Sequence, residues 1–248
     1  MTGIDERQAA EIIFWRDAVH ESPGADSVHN LVNKMADAQV FLECIDRHRE
    51  KLALRGTVLE IGAGQGWPSC IYKRLFPQAS VTTTDISEFA IASLTQWERL
   101  YQVKVDRSYA CKSYETREAD ASTDLVFCFA AAHHFLAHDE TLREMSRILR
   151  PGGRIFYFYE PSSPRYLYRP TVWKMNRSRP ELREDVLLPA VLRGLAERHG
   201  LVFSADYHPS LVKRGAIEAN YFMVLRALPF LQRVLPCTVN FLFEKPQR

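Results

Sequence analysis

Between Thr57 and Glu160, short apolar runs alternate with amphipathic segments. Val58 to Ile61, Ser80 to Thr84, Thr123 to Phe129 and Arg154 to Tyr159 have the length and composition of buried strands. The segments between them space apolar residues for helices, so the pattern predicts βαβ units on a parallel sheet. Pro68 suits the first turn of the helix after the first strand, and Ser87 can cap the segment carrying Phe89, Leu94, Trp97 and Leu100. Leu142, Met145, Ile148 and Leu149 form a further stripe, expected to start at an Asp139 cap and to stop at Arg150-Pro-Gly-Gly153.

Upstream, residues 4 to 20 and 28 to 53 carry helical patterns, the second on Val32, Met35, Val40, Leu42 and Ile45, with Ser22-Pro-Gly24 as the break. Downstream the pattern loosens at Pro161 to Pro170, resumes as a helix around Leu182 to His199, and ends in two strands, Leu201 to Tyr207 and Thr238 to Phe243, around a helical insertion. The expected division is an N-terminal helical extension or lid over 1–53 and a ligand-binding domain over 54–248, with 160–200 and 209–236 as substrate-cap insertions.

The net charge of +2 gives no field able to hold a nucleic-acid backbone by itself. The five cysteines form no Cys-x-x-Cys pair and stand mostly in apolar settings such as Val126-Phe-Cys-Phe129, which implies reduced core thiols and a cytoplasmic location. No apolar run approaches the roughly 20 residues of a membrane span, and the N-terminal residues have no basic flank followed by an apolar stretch, so neither export nor a membrane partner is expected.

The chemistry is concentrated in Val58-Leu-Glu-Ile-Gly-Ala-Gly-Gln-Gly-Trp67. Alternate glycines between a buried strand and a helix permit a sharp turn and let backbone amides approach a ligand without interference from Cβ. A dinucleotide loop places its third glycine where Trp67 stands, so that pattern fails. Glu60 would repel a pyrophosphate but suits a ligand carrying an ammonium or sulfonium cation, which points to S-adenosyl-L-methionine. Asp85, at the end of the next apolar run, can accept hydrogen bonds from both ribose hydroxyls, with Ile86 against the adenine face.

At these residues the chain resembles the class I S-adenosylmethionine-dependent methyltransferases, small-molecule branch. The resemblance runs from about Thr57 to Glu160 over four features in order: the glycine loop, Asp85, the strand Asp124-Leu-Val-Phe-Cys-Phe129, and the turn Leu149-Arg-Pro-Gly-Gly-Arg154. It implies an α/β, Rossmann-like, doubly wound, mostly parallel seven-stranded sheet with a helical insertion after the fifth strand. It further implies that Gly62, Ala63, Gly64 and Gly66 line the methionine moiety, that Glu60 supports the loop or the amino group, that Asp85 holds the ribose, and that Phe129 and Ala130 lie beside the ammonium. Many relatives carry an acid after the third strand for the adenine amino group. Here Ala110-Cys-Lys-Ser-Tyr114 has none, and Ser113, Tyr114 or a backbone carbonyl is left to serve.

Ala131-Ala-His-His-Phe-Leu-Ala-His-Asp139 brings three histidines and an acid to the carboxyl end of the fourth strand, where substrates of such folds meet the sheet. His134 or His133 can act as general base. His134, His138 and Asp139 can alternatively hold a metal, though no metal is expected, or the histidines simply pack and Asp139 caps. Aromatics from Phe156 to Trp173 can wall an acceptor pocket, with Glu160, Arg165 and Tyr166 as substrate contacts and Trp15 and Phe14 closing the site from above. Arg165, Arg169, Lys174, Arg177, Arg179 and Arg183 can recognise an anionic acceptor or form a solvated face.

The function expected is methyl transfer to an O or N nucleophile of a small, anionic or aromatic metabolite. The alternatives are an RNA or protein methyltransferase and a non-catalytic cofactor-binding subunit. Nucleic-acid amino methylation is disfavoured, because Ala-Ala-Ala-His-His replaces the Asp/Asn-Pro-Pro-aromatic run after the fourth strand. Oligomeric state has no mark in the sequence.

Overall fold

A computed structural model describes residues 3–23, 25, 27–177 and 184–247. Seven strands form one sheet: β1 (Gly56–Glu60), β2 (Ala79–Asp85), β3 (Arg107–Ala110), β4 (Thr123–Phe129), β5 (Leu149–Ser162), β6 (Val202–Tyr207) and β7 (Cys237–Glu244), in the order β3-β2-β1-β4-β5-β7-β6. All neighbouring strands pair in parallel except β7, which runs antiparallel to both β5 and β6. The seven-stranded, mostly parallel, doubly wound arrangement expected from the sequence is the one observed.

Side-chain alternation along the strands divides the core into two layers. Val58, Val81, Phe127, Phe156 and Phe158 meet helices α2 (Val28–His48), α3 (Trp67–Leu75) and α5 (Leu94–Tyr101). Leu59, Ile61, Val126, Cys128, Tyr157 and Phe243 meet α6 (His138–Ile148) and α8 (Pro189–Arg198) on the other face. Both faces of the central strands are thereby covered, which is why their sequences are continuously apolar.

The helical extension shares this core. Phe41 of α2 is fully buried, stacked on Phe127 at 5.8 Å between centroids and edge-on to Trp67 at 5.9 Å. Truncating such a ring costs about 3–5 kcal/mol, so α2 is tied to the sheet. Its apolar positions nevertheless split: Val40, Phe41, Cys44 and Ile45 face inward, whereas Val32, Met35 and Leu42 are exposed on another side of the helix. The expected stripe mixed the two faces.

Other local expectations divide in the same way. Ser87 caps α4 (Glu88–Ala92) by accepting from the Ala90 N–H, but the single helix expected there is broken, with α5 starting at Leu94. Asp139 is no cap: it sits inside the first turn of α6 and bonds outward to Arg198 and His199 at 2.8 and 2.7 Å. After β5 come α7 (Tyr168–Asn176) and α8, and between β6 and β7 lies α9 (Ala216–Ala227). Gly24, Leu182, Arg179 and Arg183 lie outside the described residues.

Candidate active site

The strand order reverses between β1 and β4, and the loop Ile61 to Gly66 leaves β1 at that crevice. Gly62, Gly64 and Gly66 have φ of +62°, +54° and +79°, a region open to glycine at no steric cost. A Cβ on Gly62 would come to 3.0 Å from the Phe135 ring and 3.1 Å from Ala131, and one on Gly64 to 3.1 Å from the Trp15 indole. The loop thus presents bare backbone because neighbouring side chains occupy the space that a Cβ would need.

Asp85 fixes the loop to the tip of β2. Its Oδ2 accepts from Gly64 N at 2.8 Å and its Oδ1 from Ser87 N at 2.9 Å, while Ala63 N donates to Thr84 O at 2.9 Å. Burial pushes this carboxyl up to about 6, against the opposing pull of the Ser87, Gly64 and Ile86 N–H groups.

A cavity of about 470 Å³ opens over the loop. Gly62, Ala63, Gly64, Asp85, Ile86, Ser113, Tyr114, Phe129, Ala130 and His134 all line it, as does Trp15. Ser113 shares a hydrogen bond with Thr141 at 2.8 Å, which turns its hydroxyl partly inward on the protein.

The roof is α1 (Gly3–Asp17). Arg7, Glu11 and Trp15 are spaced four residues apart and so lie along one helix face, and all three line the cavity together with Gln8, whose amide donates to the Tyr114 hydroxyl at 3.1 Å. Glu11, pushed up to about 7 by burial and by the nearby Asp85, stands 3.7 Å from His134 Nδ1. Sequence reasoning had found Trp15 but not Arg7, Gln8 or Glu11; the four-residue spacing was the available signal. It also missed Lys34 and Asp37 of α2 and the Phe135-Leu136 wall.

Six expected site residues, Glu60, Gly66, His133, Glu160, Arg165 and Tyr166, do not line this cavity. Glu60 points with Val58 toward α3, where it is fully buried and accepts the Ser69 hydroxyl; burial raises it to about 8. Gly66 turns away to begin α3, and a Cβ there would meet Leu94 at 2.6 Å. Arg165 is exposed, and the Tyr166 ring, 68% exposed, donates its hydroxyl to Val234 O on the outer surface.

Glu160 is the last of the displaced predictions and the most consequential. It is wholly buried, its Oε1 accepting from Ala131 N (2.9 Å) and Ala132 N (2.8 Å), its Oε2 from His133 N (3.2 Å) and lying 2.8 Å from His133 Nδ1. It therefore shapes the turn after β4 and orients an imidazole, with no face left for a substrate. Burial lowers the His133 value, but the Glu160 hydrogen bond and charge outweigh it and leave it raised.

The aromatics of β5 also have a different place: Phe156, Tyr157 and Phe158 are buried in the core, and Tyr159 is held by Arg214 at 2.7 Å. Among the described residues, nothing from 160–200 or 209–236 lines the cavity. The set His134, His138 and Asp139 does not form a cluster, because His134 belongs to a separate 3-10 turn, His138 is half-buried in the first turn of α6, and Asp139 faces Arg198.

Comparison with known proteins points to a methyltransferase domain. Residues 59–157 match the family described as a methyltransferase domain. Over 115 residues the chain is 32% identical to 27-O-demethylrifamycin SV methyltransferase of Amycolatopsis mediterranei (strain S699), which covers 44% of this chain and 41% of that protein. Over 99 residues it is 30% identical to malonyl-[acyl-carrier protein] O-methyltransferase of Hahella chejuensis (strain KCTC 2396), covering 40% and 34%. The matched stretch thus spans less than half of these relatives. Among solved structures, geranyl diphosphate C-methyltransferase from Streptomyces coelicolor A3(2), in complex with Mg2+, geranyl diphosphate and S-adenosyl-L-homocysteine, superposes with a TM-score of 0.68 at 14% identity, covering 96% of this chain and 98% of that one. Among the described residues, no helix is long and apolar enough to cross a membrane.

Proposed function

We propose, from the match of residues 59–157 to a methyltransferase domain, that this chain is an S-adenosylmethionine-dependent methyltransferase that methylates an O or N nucleophile of a small molecule bound beneath α1. The observation that carries the reading is the cavity itself, which joins a loop bare of Cβ at Gly62 and Gly64, the Asp85 carboxylate and an enclosing helix in one space of about 470 Å³.

The residues present fit S-adenosylmethionine. The Gly62 to Gly64 backbone would receive its amino-acid tail, with Lys34 supplying a cation for the tail carboxylate. Asp85 would hold the ribose, Ile86 the adenine face, and Ser113 and Tyr114 its edge, which gives the adenine end polar groups although no acid follows β3. Phe129 and Ala130 complete the wall beside the ammonium group. When bound, the cofactor supplies an electrophilic methyl carbon on a sulfonium sulfur.

The protein's own contribution is alignment, exclusion of water and reception of one proton. In-line transfer draws much of its rate from holding nucleophile and electrophile together, and Trp15 over the loop keeps water from that space. Glu11 and His134 face each other on the acceptor side, and a carboxyl raised to about 7 is suited to take a proton from a hydroxyl or amine near neutral pH. His133 is a positioning residue, oriented from below by Glu160.

Calorimetry with S-adenosylhomocysteine, followed by a methyl-release assay over a panel of hydroxylated and amino metabolites, tests the reading. Micromolar binding abolished in Asp85→Ala and turnover on a panel member are expected. Absence of binding at millimolar ligand sinks the proposal. Binding without turnover on any small acceptor leaves the non-catalytic subunit as the better account.

A further inference from the structure

Among the described residues, the group of histidine and acidic side chains able to converge on an ion is His133, His134 and Glu184, whose donor atoms lie within 4.8 Å of one another. His133 and His134 come from the turn after β4, with ring centroids 4.3 Å apart. Glu184 comes from a segment nearly fifty residues later, and two contacts hold that segment in place: Asp185 N donates to His133 O at 3.1 Å, and Asn176 Oδ1 accepts from Glu184 N at 2.9 Å.

A second observation points the same way. A metal-binding histidine characteristically gives its other ring N–H to a carboxylate, which fixes the tautomer and raises the basicity of the ligating nitrogen. Glu160 does this for His133: its buried Oε2 lies 2.8 Å from Nδ1, so His133 offers Nε2 to a ligand.

We propose that His133, His134 and Glu184 form a divalent transition-metal site beside the cavity, which His134 alone of the three lines. Two imidazoles and one carboxylate suit Zn2+, Fe2+, Co2+ or Mn2+ better than Mg2+ or Ca2+, which favour oxygen ligands. Bonds of about 2.1 Å place donors roughly 3.0–3.5 Å apart, so a ring rotation of His134 and a rotamer change of Glu184 close the site. An ion held by these three side chains would keep coordination positions for a ligand with oxygen donors, such as a hydroxy-acid or vicinal diol.

Titration of the metal-stripped full-length protein with Co2+ tests the site, read by its visible ligand-field absorption. One Co2+ per chain is expected, bound at least tenfold more weakly by Glu184→Ala and by His134→Ala. Glu160→Gln, which leaves His133 as a ligand but disturbs its tautomer, should weaken binding about 10- to 100-fold. Glu184→Ala should still bind S-adenosylhomocysteine, which shows that it folds. No visible bands in the wild type, or bands of equal affinity in Glu184→Ala and His134→Ala, overturn the site. This readout is separate from the methyl-transfer reading: failure to bind S-adenosylhomocysteine sinks that reading while leaving the Co2+ result standing, and the reverse holds equally.

Discussion

The indole of Trp15 lies over Gly64 so closely that a Cβ at residue 64 would come within 3.1 Å of two of its ring atoms. One contact therefore couples α1 to the glycine loop. Gly64→Ala should weaken S-adenosylhomocysteine binding by tenfold or more, because alanine at φ +54° costs roughly 1–2 kcal/mol and also displaces the ring. Trp15→Ala should weaken it severalfold by opening the roof. If the contact carries the effect, the two changes are not additive, and alanine at 64 costs less in the Trp15→Ala background. Calorimetry on the four proteins decides it; strict additivity would place the Gly64 effect in the loop alone.

With Asp85 holding the ribose as proposed, cofactor affinity should depend on pH with a definite sign. Its carboxyl is raised to about 6, and only the ionised form can accept from two ribose hydroxyls. Binding at lower pH must therefore expel a proton, at a cost that grows as pH falls below 6. Affinity for S-adenosylhomocysteine should be flat above about pH 7 and decline below 6, by at most about tenfold per pH unit. Asp85→Asn should bind about 10- to 100-fold more weakly, since hydrogen bonds to a charged group are worth about 1.5–3 kcal/mol, and should lose this decline. An unchanged slope in the variant would assign it to another group.

The parts of this site legible in the sequence are those set by neighbours along the chain. The glycine loop, Asp85 and the turn after β4 each follow an apolar strand, and strand ends in a doubly wound sheet converge on one crevice. Glu60 was misjudged because alternation along β1 carries its side chain down with Val58, two residues before the loop turns upward. Arg165 and Tyr166 were misplaced because nothing local states that the chain after β5 runs along the outside. The roof was half-visible: Trp15 stood out by its size, whereas Gln8 and Glu11 acquire meaning only once tertiary packing lays α1 over the loop.

Glu160→Gln should destabilise the fold by about 2–4 kcal/mol in urea unfolding, a loss typical of breaking a buried charged network. The amide NH2 would face either the N–H groups of Ala131 and Ala132 or the N–H and ring of His133, all of which now point at carboxylate oxygens. The same change should lower the His133 pKa, readable from its ring resonances, because Glu160 is what raises it. The folded value lies above the unfolded one, so this pair's stabilisation is fully present below about pH 6.5 and is lost as pH rises through the folded value. The stability difference between wild type and variant should therefore shrink toward alkaline pH.

Glu11 predicts a difference between charged and uncharged cofactor. Its carboxyl is raised to about 7 from the ordinary glutamate value of 4.5, the reverse of a paired carboxylate. Docking α1 is thus most favourable below about pH 4.5, and the advantage is lost as pH rises through 7, because burial and Asp85 both oppose ionisation. A sulfonium cation in the cavity reverses the sign by attracting the ionised carboxylate, whereas S-adenosylhomocysteine, which lacks that charge, does not. The ratio of S-adenosylmethionine to S-adenosylhomocysteine affinity should therefore rise severalfold between pH 6 and 8, and Glu11→Gln should flatten it while both ligands still bind. Since each ligand meets the same Asp85 and the same loop, taking the ratio cancels their titrations. A ratio that stays constant with pH in the wild type would mean that Glu11 is too far from the sulfur, or too well screened from it, to act on the reacting centre.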